Sequence, residues 1–465
     1  MSFRRTVLLI STLLLSAASV SAEGVSLPDY ERVALPNGTI LLLSEKHDVP
    51  LIALEAIVRG GAVTDPADMN GMASLLAGVM QQGAGERDAA SFAEAIEAVG
   101  GELNASARLE EIRVSADFMS RDTELMIELV ADLLRRPALE ADELNKLRDR
   151  SINLIKAAKG ANPGALLPAY GNAFLFGQHP YGSPVGGNES TLANITREDL
   201  LGYYERFIGG DRLIISVVGD FNREAMKSRL TAAFGDWRAA TGPLPSLTNA
   251  RKQTGRRVLL IDKPGATQTY FWLANIGVSV RYPTRAELDL ANTVFGGRFT
   301  SMLNTELRIE AGLTYGARSI LRRPSHPGSV VISSYSETSA AVDAIDMALD
   351  VLGKLHDSGV DDDMVLSAQN YIMGLFPLRL ETASQIAAQL TMLEQYGLRA
   401  SYINEYGAAL AGANSDSIAL AIAEVYPLPE NLALILIGDA SSIREDVSQY
   451  GPVTELSIDA PRFRP

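Results

Sequence analysis

Histidine, cysteine and carboxylate side chains decide which metal and hydrolytic chemistry a chain can perform. This 465-residue chain has four histidines and no cysteine. The histidines are His47, His179, His326 and His356, and they lie too far apart for two of them to share a helix turn. A His-x-x-x-His pair, which sets two zinc ligands on one helix face, is therefore absent. Only ligands brought together from distant segments would leave a zinc site open.

Other catalytic signatures are missing as well. The chain has no Gly-x-Ser-x-Gly elbow, no Gly-x-Gly-x-x-Gly turn and no Walker loop. A Ser-His-Asp triad stays open, because its members need not be close in sequence. The absence of cysteine removes a thiol nucleophile and any disulfide framework.

The net charge and the N-terminal residues limit which kinds of protein this chain can be. The net charge of −15 argues against general nucleic-acid binding, which needs basic surface. Residues 1–22 have a basic start, an apolar run over 7–15 and a small-residue end at Val20-Ser21-Ala22. This pattern predicts a secretory signal peptide, and hence an exported chain with no membrane segment after cleavage.

The rest of the chain reads as two halves of similar plan, over 25–236 and 257–457. Each opens with two strand-like runs, and each has near its end a buried-strand pattern closing on Gly-Asp, at Gly219-Asp220 and Gly438-Asp439. Residues 237–256, rich in Pro, Gly, Ser and Thr, predict a linker. The mixture of elements predicts an α+β fold, in which each half is a mixed or antiparallel sheet flanked by helices.

One helix, predicted within residues 70–83, has an unusual face. An apolar stripe runs along it, with Asn70 as its expected N-cap and Gly83 as its expected end. Beside the stripe lie three small residues at helical spacing, Ser74, Ala77 and Gly78. Small residues on such a face let another helix pack closely against it.

Taken together, these segments resemble the pitrilysin (insulinase-like) metallopeptidases over nearly the whole mature chain. In that family the corresponding helix carries His-x-x-Glu-His, and the resemblance puts Ser74 and Gly78 in place of the two histidines and Ala77 in place of the glutamate. The family's further Glu ligand comes from a second helix, here within DELNKLRDRSINLIKAAKG. Its expected packed face is Leu144, Leu147, Ser151, Leu154 and Ile155, and no Asp or Glu occurs over 151–188. The resemblance thus implies a degenerate zinc site.

The segment GGELNAS, at 100–106, resembles the family's sheet edge beside the cleft. There a substrate peptide adds as an extra strand, and Asn104 and Ala105 match the family's Asn-Ala. The resemblance implies that these two residues bind substrate. An ordinary hairpin strand is the alternative.

The second half contains ELRIEAGLTYGARS, which resembles the family's Arg-x6-Tyr element. Arg308 and Tyr315 stand in its two positions, where the family contacts substrate near the scissile bond. Gly312 is expected to end a helix and Leu313 to begin a strand, so that both side chains face one cleft. The alternative is a surface cation near a helix end and a half-buried strand aromatic.

The resemblance implies a zinc-less subunit of an exported, periplasmic metallopeptidase. It would have no catalytic residues and no cofactor of its own. A pitrilysin-family partner would hold the zinc, and this chain would bind and position peptide. The alternatives are a peptide-binding or assembly protein with no peptidase partner, and an active zinc peptidase with unusual ligands.

Overall fold

The computed structural model describes residues 25–464. The predicted signal peptide over 1–22 lies outside this range. Within it, no helix is both long and apolar enough to cross a bilayer.

Two six-stranded sheets form the centre of the molecule, one in each half of the chain. The strands of the first are β1 Glu31–Ala34, β2 Ile40–Glu45, β3 Leu51–Arg59, β6 Glu102–Ala107, β7 Glu111–Met119 and β8 Leu213–Gly219. Those of the second are β9 Arg257–Asp262, β10 Gln268–Ile276, β11 Arg318–Arg322, β12 Ser329–Glu337, β13 Ala433–Gly438 and β14 Val453–Ser457. A small ladder pairs β4 Gly83–Ala84 with β5 Arg87–Asp88.

Helices flank both sheets. The first half contains α1 Met72–Met80, α2 Ala89–Glu97, α3 Thr123–Arg135, α4 Ala141–Ala161, α5 Leu167–Phe176, α6 Glu189–Ala193, α7 Arg197–Phe207 and α8 Arg223–Phe234. The second contains α9 Arg285–Asn292, α10 Met302–Asn304, α11 Ala341–Asp357, α12 Asp362–Leu375, α13 Ala383–Tyr396, α14 Ser401–Asn404, α15 Tyr406–Gly412, α16 Ser415–Val425 and α17 Ala440–Val447. π-helical turns at Thr293–Gly297 and Thr305–Glu310 flank α10.

The two sheets share one topology, which confirms the predicted pair of homologous halves. The first has the order β1-β2-β8-β3-β7-β6, and the second, read from its opposite edge, β14-β9-β13-β10-β12-β11. In the first sheet β8, which ends on Gly-Asp, lies parallel to β2 and antiparallel to β3. In the second sheet β13, which also ends on Gly-Asp, lies parallel to β9 and antiparallel to β10. The two sheets differ at one edge: β1 is antiparallel to β2, whereas its counterpart β14 is parallel to β9.

Burial accounts for the continuous apolar sequences of the central strands β8 and β13. Every residue of β8 and of β13 is buried. A strand with neighbours on both sides and helices on both faces reads as a continuous apolar run rather than as an alternating one. These are the two buried-strand patterns found in the sequence.

The halves are joined by an exchange of helices. Helix α5, from the first half, packs on β10 and β13 of the second sheet, while α13, from the second half, packs on β3 and β8 of the first. Each helix follows the second long helix of its half, so the two are topological equivalents. The predicted linker contains no helix or strand, but because of this exchange a cut there would not separate two independently packed units.

Glycine allows α5 to approach its sheet. A Cβ on Gly171 would lie 2.4 Å from the Trp272 ring, and one on Gly164, just before the helix, 2.5 Å from the Tyr270 ring. Both distances are below van der Waals contact, so the backbone lies directly on the two aromatic rings. This close packing sets the position of the first half against the second sheet.

Polar bonds hold α13 in place. Arg32 donates two hydrogen bonds to the Glu394 carboxylate, at 2.8 and 2.9 Å, and these bonds lower the pKa of Glu394. Gln395 donates to Glu111 of β7 at 2.6 Å, and Ser384 donates to Asp117. The face of the first sheet beneath α13 is therefore rich in carboxylates.

Gly171→Ala should destabilise the protein although alanine favours helix. The new methyl group must push α5 off Trp272, so we expect the free energy of unfolding to fall by about 1–3 kcal/mol. The matched control is Gly202→Ala in α7, where a Cβ would meet nothing within 4 Å. That change should raise stability by up to about 1 kcal/mol. Denaturant titration measures both, and equal gains would show that α5 does not pack as described.

Candidate functional site

Helix α1 is positioned by a buried carboxylate rather than by the expected cap. The Asp65 side chain accepts hydrogen bonds from the backbone N–H groups of Gly71, at 2.8 Å, and Ala73, at 3.0 Å. The prediction that Asn70 caps the helix is therefore wrong, since its side chain instead donates to the Pro66 carbonyl. The helix also ends at Met80, before Gly83, which has φ +109° and begins β4.

Burial changes the acidity of this carboxyl group. It raises the pKa of Asp65 to about 7, against the opposing effect of the backbone hydrogen bonds. A carboxylate at a helix N-terminus satisfies N–H groups that have no partner within the helix. Asp65 lies seven residues before the helix, outside the usual N-cap position, so a search for local capping patterns does not find it.

The small face of α1 is covered by α4. Ala77 is buried, and Ser74 and Gly78 are half-buried. A Cβ on Gly78 would lie 3.4 Å from Cδ1 of Leu147, so an apolar side chain of α4 fills the space beside position 78. The small residues on this face of α1 allow α4 to pack closely against it.

The residues at this place do not fit a zinc ion. Ser74 offers one hydroxyl, while Ala77 and Gly78 offer no ligand atom. On α4 the Ser151 hydroxyl donates to the carbonyl of Leu147 in its own helix. Among residues 25–464, no cluster of three or more His, Cys, Asp or Glu side chains is arranged to hold a metal.

Helix α4 differs from its predicted packing in one position. Leu144 is buried, and Leu147, Ser151 and Ile155 are half-buried, as an inward face requires. Leu154, predicted to belong to that face, is 60% exposed. At 100° per residue Leu154 lies on the same side of α4 as Leu147, two turns earlier, so its exposure shows that no neighbouring element covers that side further along the helix.

Asn104 and Ala105 lie on β6, the outermost strand of the first sheet. Asn104 is exposed and Ala105 is buried. The carbonyl of Ala105 accepts a hydrogen bond from the Gln81 side chain at 2.8 Å, and the same amide group donates to Ala77 at 2.9 Å. A peptide strand added at this edge would compete with Gln81 for that carbonyl. No local sequence pattern marks Gln81 for this role.

Arg308 and Tyr315 occupy different surroundings. Arg308 lies in the second π-helical turn, with its guanidinium 4.7 Å from the ring centre of exposed Phe299. Tyr315 is 78% exposed and borders a groove of about 690 Å³ between α5 and the second sheet, whose lining does not include Arg308. Gly312, with φ +66°, follows the helical turn as predicted. The strand, however, begins at Arg318 and not at Leu313.

The histidines have structural partners. His179 Nδ1 accepts from the Tyr181 N–H at 3.1 Å, so its Nε2 donates to the Thr248 carbonyl at 2.7 Å. His356 contacts the Pro427 carbonyl at 3.1 Å. His47 lies 2.7 Å from Asp220, and this bond lowers the pKa of Asp220. The Ser120 hydroxyl donates to the same carboxylate, at 3.1 Å, and no His–Ser bond forms there.

A polar cluster that the sequence analysis missed links the two halves. The Tyr181 hydroxyl donates to Glu110 at 2.6 Å, and Ser325, from the loop between β11 and β12, donates to the same carboxylate through its N–H and its hydroxyl. The backbone N–H of His326 donates to Tyr181 at 3.1 Å. Glu110 and Tyr181 border a second cleft of about 710 Å³ between the halves.

The chain has two sheets of matching topology, joined by exchanged helices, and no metal-ligand side chains on the small face of α1. These features place it in a class of peptidase-like chains that lack zinc ligands at this helix. Residues 41–187 match the sequence profile described as "Insulinase (Peptidase family M16)", and residues 194–372 match "Peptidase M16 inactive domain". An uncharacterised zinc protease of Mycobacterium leprae is 27% identical over 79% of this chain and 82% of its own length. A non-peptidase homologue of Helicobacter pylori is 22% identical over 81% and 85%.

Solved structures support the fold. A crystal structure described as a peptidase M16 inactive domain, from Pseudomonas fluorescens, has a TM-score of 0.81 and 22% identity, covering 88% of this chain and 98% of that one. The chain belongs to the insulinase-like (pitrilysin) peptidase family, and within that family it lacks the His-x-x-Glu-His motif.

A double-mutant cycle tests whether Leu147 fills the space beside Gly78 on the small face of α1. Gly78→His must displace Leu147, so we expect a loss of about 1–3 kcal/mol in the free energy of unfolding. Leu147→Ala should then cost less in the Gly78→His background than in the wild-type chain, because it makes room for the imidazole. Denaturant titration of the four proteins measures the coupling. Strictly additive losses would contradict the contact between the two positions.

Asp65 should make stability depend on pH. Because its pKa is higher in the folded chain than in the unfolded one, folding takes up a proton between about pH 4 and 7. The free energy of unfolding should therefore fall as pH rises through this window, with a slope of up to about 1.4 kcal/mol per pH unit. Asp65→Asn should reduce the slope. Part of the slope should remain, because burial also raises the pKa of Glu55 to about 7.

The matched control for this experiment is Asp88→Asn. Asp88 caps α2, but hydrogen bonds from Ser91 lower its pKa. Its titration lies below the window, so the slope between pH 5 and 7 should not change. An unaltered slope in Asp65→Asn would show that Asp65 is already ionised throughout.

Proposed function

We propose that this chain is the zinc-less subunit of an exported, two-chain metallopeptidase. In this proposal a pitrilysin-family partner holds the zinc ion, and this chain binds and positions the peptide to be cleaved. The observation that carries the proposal is the combination of a complete two-half frame with an apolar closure of the metal face by Leu147. The chain keeps what shapes a peptide cleft and lacks what activates water.

Exposed side chains around the Arg-x6-Tyr element support a role toward another molecule. Tyr315 is 78% exposed, and Phe299 and Ile309 are 57% and 54% exposed. Large apolar groups grouped on a surface commonly mark a binding site. Arg308, stacked on Phe299, adds a fork of hydrogen-bond donors suited to a peptide carbonyl.

The first test is a pull-down of the mature chain from the exported fraction of its own host. A stoichiometric partner with His-x-x-Glu-His, and peptide cleavage in the eluate that chelator abolishes, is the expected result. Recovery of the chain alone, inert and metal-free, would overturn the proposal in favour of a peptide-binding or assembly protein. Stoichiometric zinc on the chain alone would restore the reading as an active peptidase.

Within the assembled enzyme, Arg308→Ala and Tyr315→Phe should each lower kcat/KM by about tenfold, the effect of one lost hydrogen bond to substrate. Matched controls are Arg121→Ala and Tyr371→Phe, which alter an exposed arginine and an exposed tyrosine elsewhere. Co-purification with the partner should be the same for all four variants. Unchanged turnover in both Arg308→Ala and Tyr315→Phe would show that the pair does not contact substrate.

A further inference from the structure

The groove beside Tyr315 has a distinct chemistry. It lies between the N-terminal part of α5 and the strands β10, β12 and β11 of the second sheet, and its volume is about 690 Å³. We call it the arginine groove; it is defined by Tyr270, Trp272, Tyr315, Arg318, Arg322 and Tyr335. A volume of this size suits a few residues of peptide rather than a folded partner.

Two cations line this groove without a partner. Arg318 and Arg322 are four residues apart on β11, so both project from the same face of the strand. Both are exposed, and within residues 25–464 neither side chain forms a salt bridge or a hydrogen bond. Their neighbour Arg323, by contrast, is paired with Asp289 at 2.6 Å. The two groove arginines are therefore free to meet a ligand.

Aromatic rings lie beside these cations. The Arg322 guanidinium lies 5.4 Å from the Trp272 ring centre, and this contact orients the side chain along the groove floor. Tyr270 and Tyr335 face each other across paired strands with ring centres 5.6 Å apart. Tyr315 closes the rim. Such a surface offers apolar contact together with hydroxyl groups.

The lining contains no Asp or Glu. This is unusual in a chain of net charge −15. The equivalent face of the first sheet, beneath α13, carries Glu55, Glu111 and Asp117 instead. Arg108 and Arg113 of the first half line the other cleft together with Glu110 and Glu111, whereas the two arginines of the arginine groove have no acidic residue beside them in its lining.

We propose that the arginine groove binds a peptide carboxylate, held by Arg318 and Arg322, with a neighbouring aromatic or large apolar side chain of that peptide packed on the tyrosine rings. Arg is suited to this because its planar fork makes two parallel hydrogen bonds to one carboxylate. The carboxylate is either the C-terminus of the peptide or an Asp or Glu side chain. As a substrate preference, the inference rests on the proposed function; as a binding property, it belongs to this chain alone.

Nucleic acid fits the observations less well. Its binding grows with the number of phosphates neutralised by Lys and Arg. The groove supplies two such groups on a chain whose net charge is −15. A short peptide needs only one carboxylate site and a ring to pack on.

Fluorescence anisotropy with the mature chain alone tests the proposal. The probes are labelled unstructured ten-residue peptides containing Phe and Leu, in four forms. One has a free C-terminus and no acidic side chain, one has an amidated C-terminus and Glu, one has neither carboxylate, and one carries Lys in place of Glu. We expect the first or the second to bind at least about tenfold more tightly than the last two, which identifies the source of the carboxylate.

Charge-removing variants then locate the site. Arg318→Gln and Arg322→Gln should each weaken the binding of the tighter carboxylate-bearing probe about five- to tenfold. The binding of the probe that has neither carboxylate should change little. Arg318→Lys should lose less, because charge remains while the fork is lost. The matched control is Arg121→Gln, an exposed arginine outside the groove. Circular dichroism confirms that each variant is folded.

Equal binding of all four probes, or no effect of either Arg→Gln change, would overturn the proposal. So would tighter binding of a single-stranded oligonucleotide than of the acidic probes in a way that depends on Arg318 and Arg322. The outcome is separable from that of the proposed function. Peptide binding without a zinc partner in the pull-down would retain the groove and reject the two-chain peptidase, and the reverse result would do the opposite.

Discussion

The close approach of α5 to the second sheet is the constraint on which the rest of the molecule depends. Gly171 and Gly164 allow the backbone to lie on Trp272 and Tyr270, so a segment of the first half becomes part of the core of the second. Helix α13 makes the reciprocal contact with the first sheet. Both inter-half clefts are bordered by residues of α5, and their shapes follow from this exchange.

A second set of contacts, within the first half, holds α1 against α4. In a zinc-dependent relative, ligands on two helices would be drawn together by the ion. Here the same two helices meet through Leu147 against the small face of α1, and Asp65 fixes the start of that helix. Hydrophobic contact and a buried cap replace coordination as the source of order. The two helices are therefore held together without ligands between them.

Duplication has been followed by specialisation of charge. The first sheet has carboxylates on β3 and β7, beneath α13, and the second has two arginines on its edge strand β11, beside α5. In the first half the carboxylates are used internally, since Glu111 and Asp117 bind side chains of α13. In the second, the cations face open space beside aromatic rings. The same framework thus has a closed, structural face and an open face that is available to a ligand.

The sequence by itself determined the class of fold, the pairing of halves and the loss of the zinc motif, because these depend on local patterns. Continuous apolar runs closing on Gly-Asp predict buried central strands, and the absence of His-x-x-Glu-His is read directly from the order of the residues. Tertiary structure alone decided the cap by Asp65, the exposure of Leu154 and the contact of Leu147 with Gly78. It also decided the bond from Gln81 to Ala105 and the assembly of the arginine groove. Each of these depends on which distant segments meet, and single-chain periodicity carries no information about that.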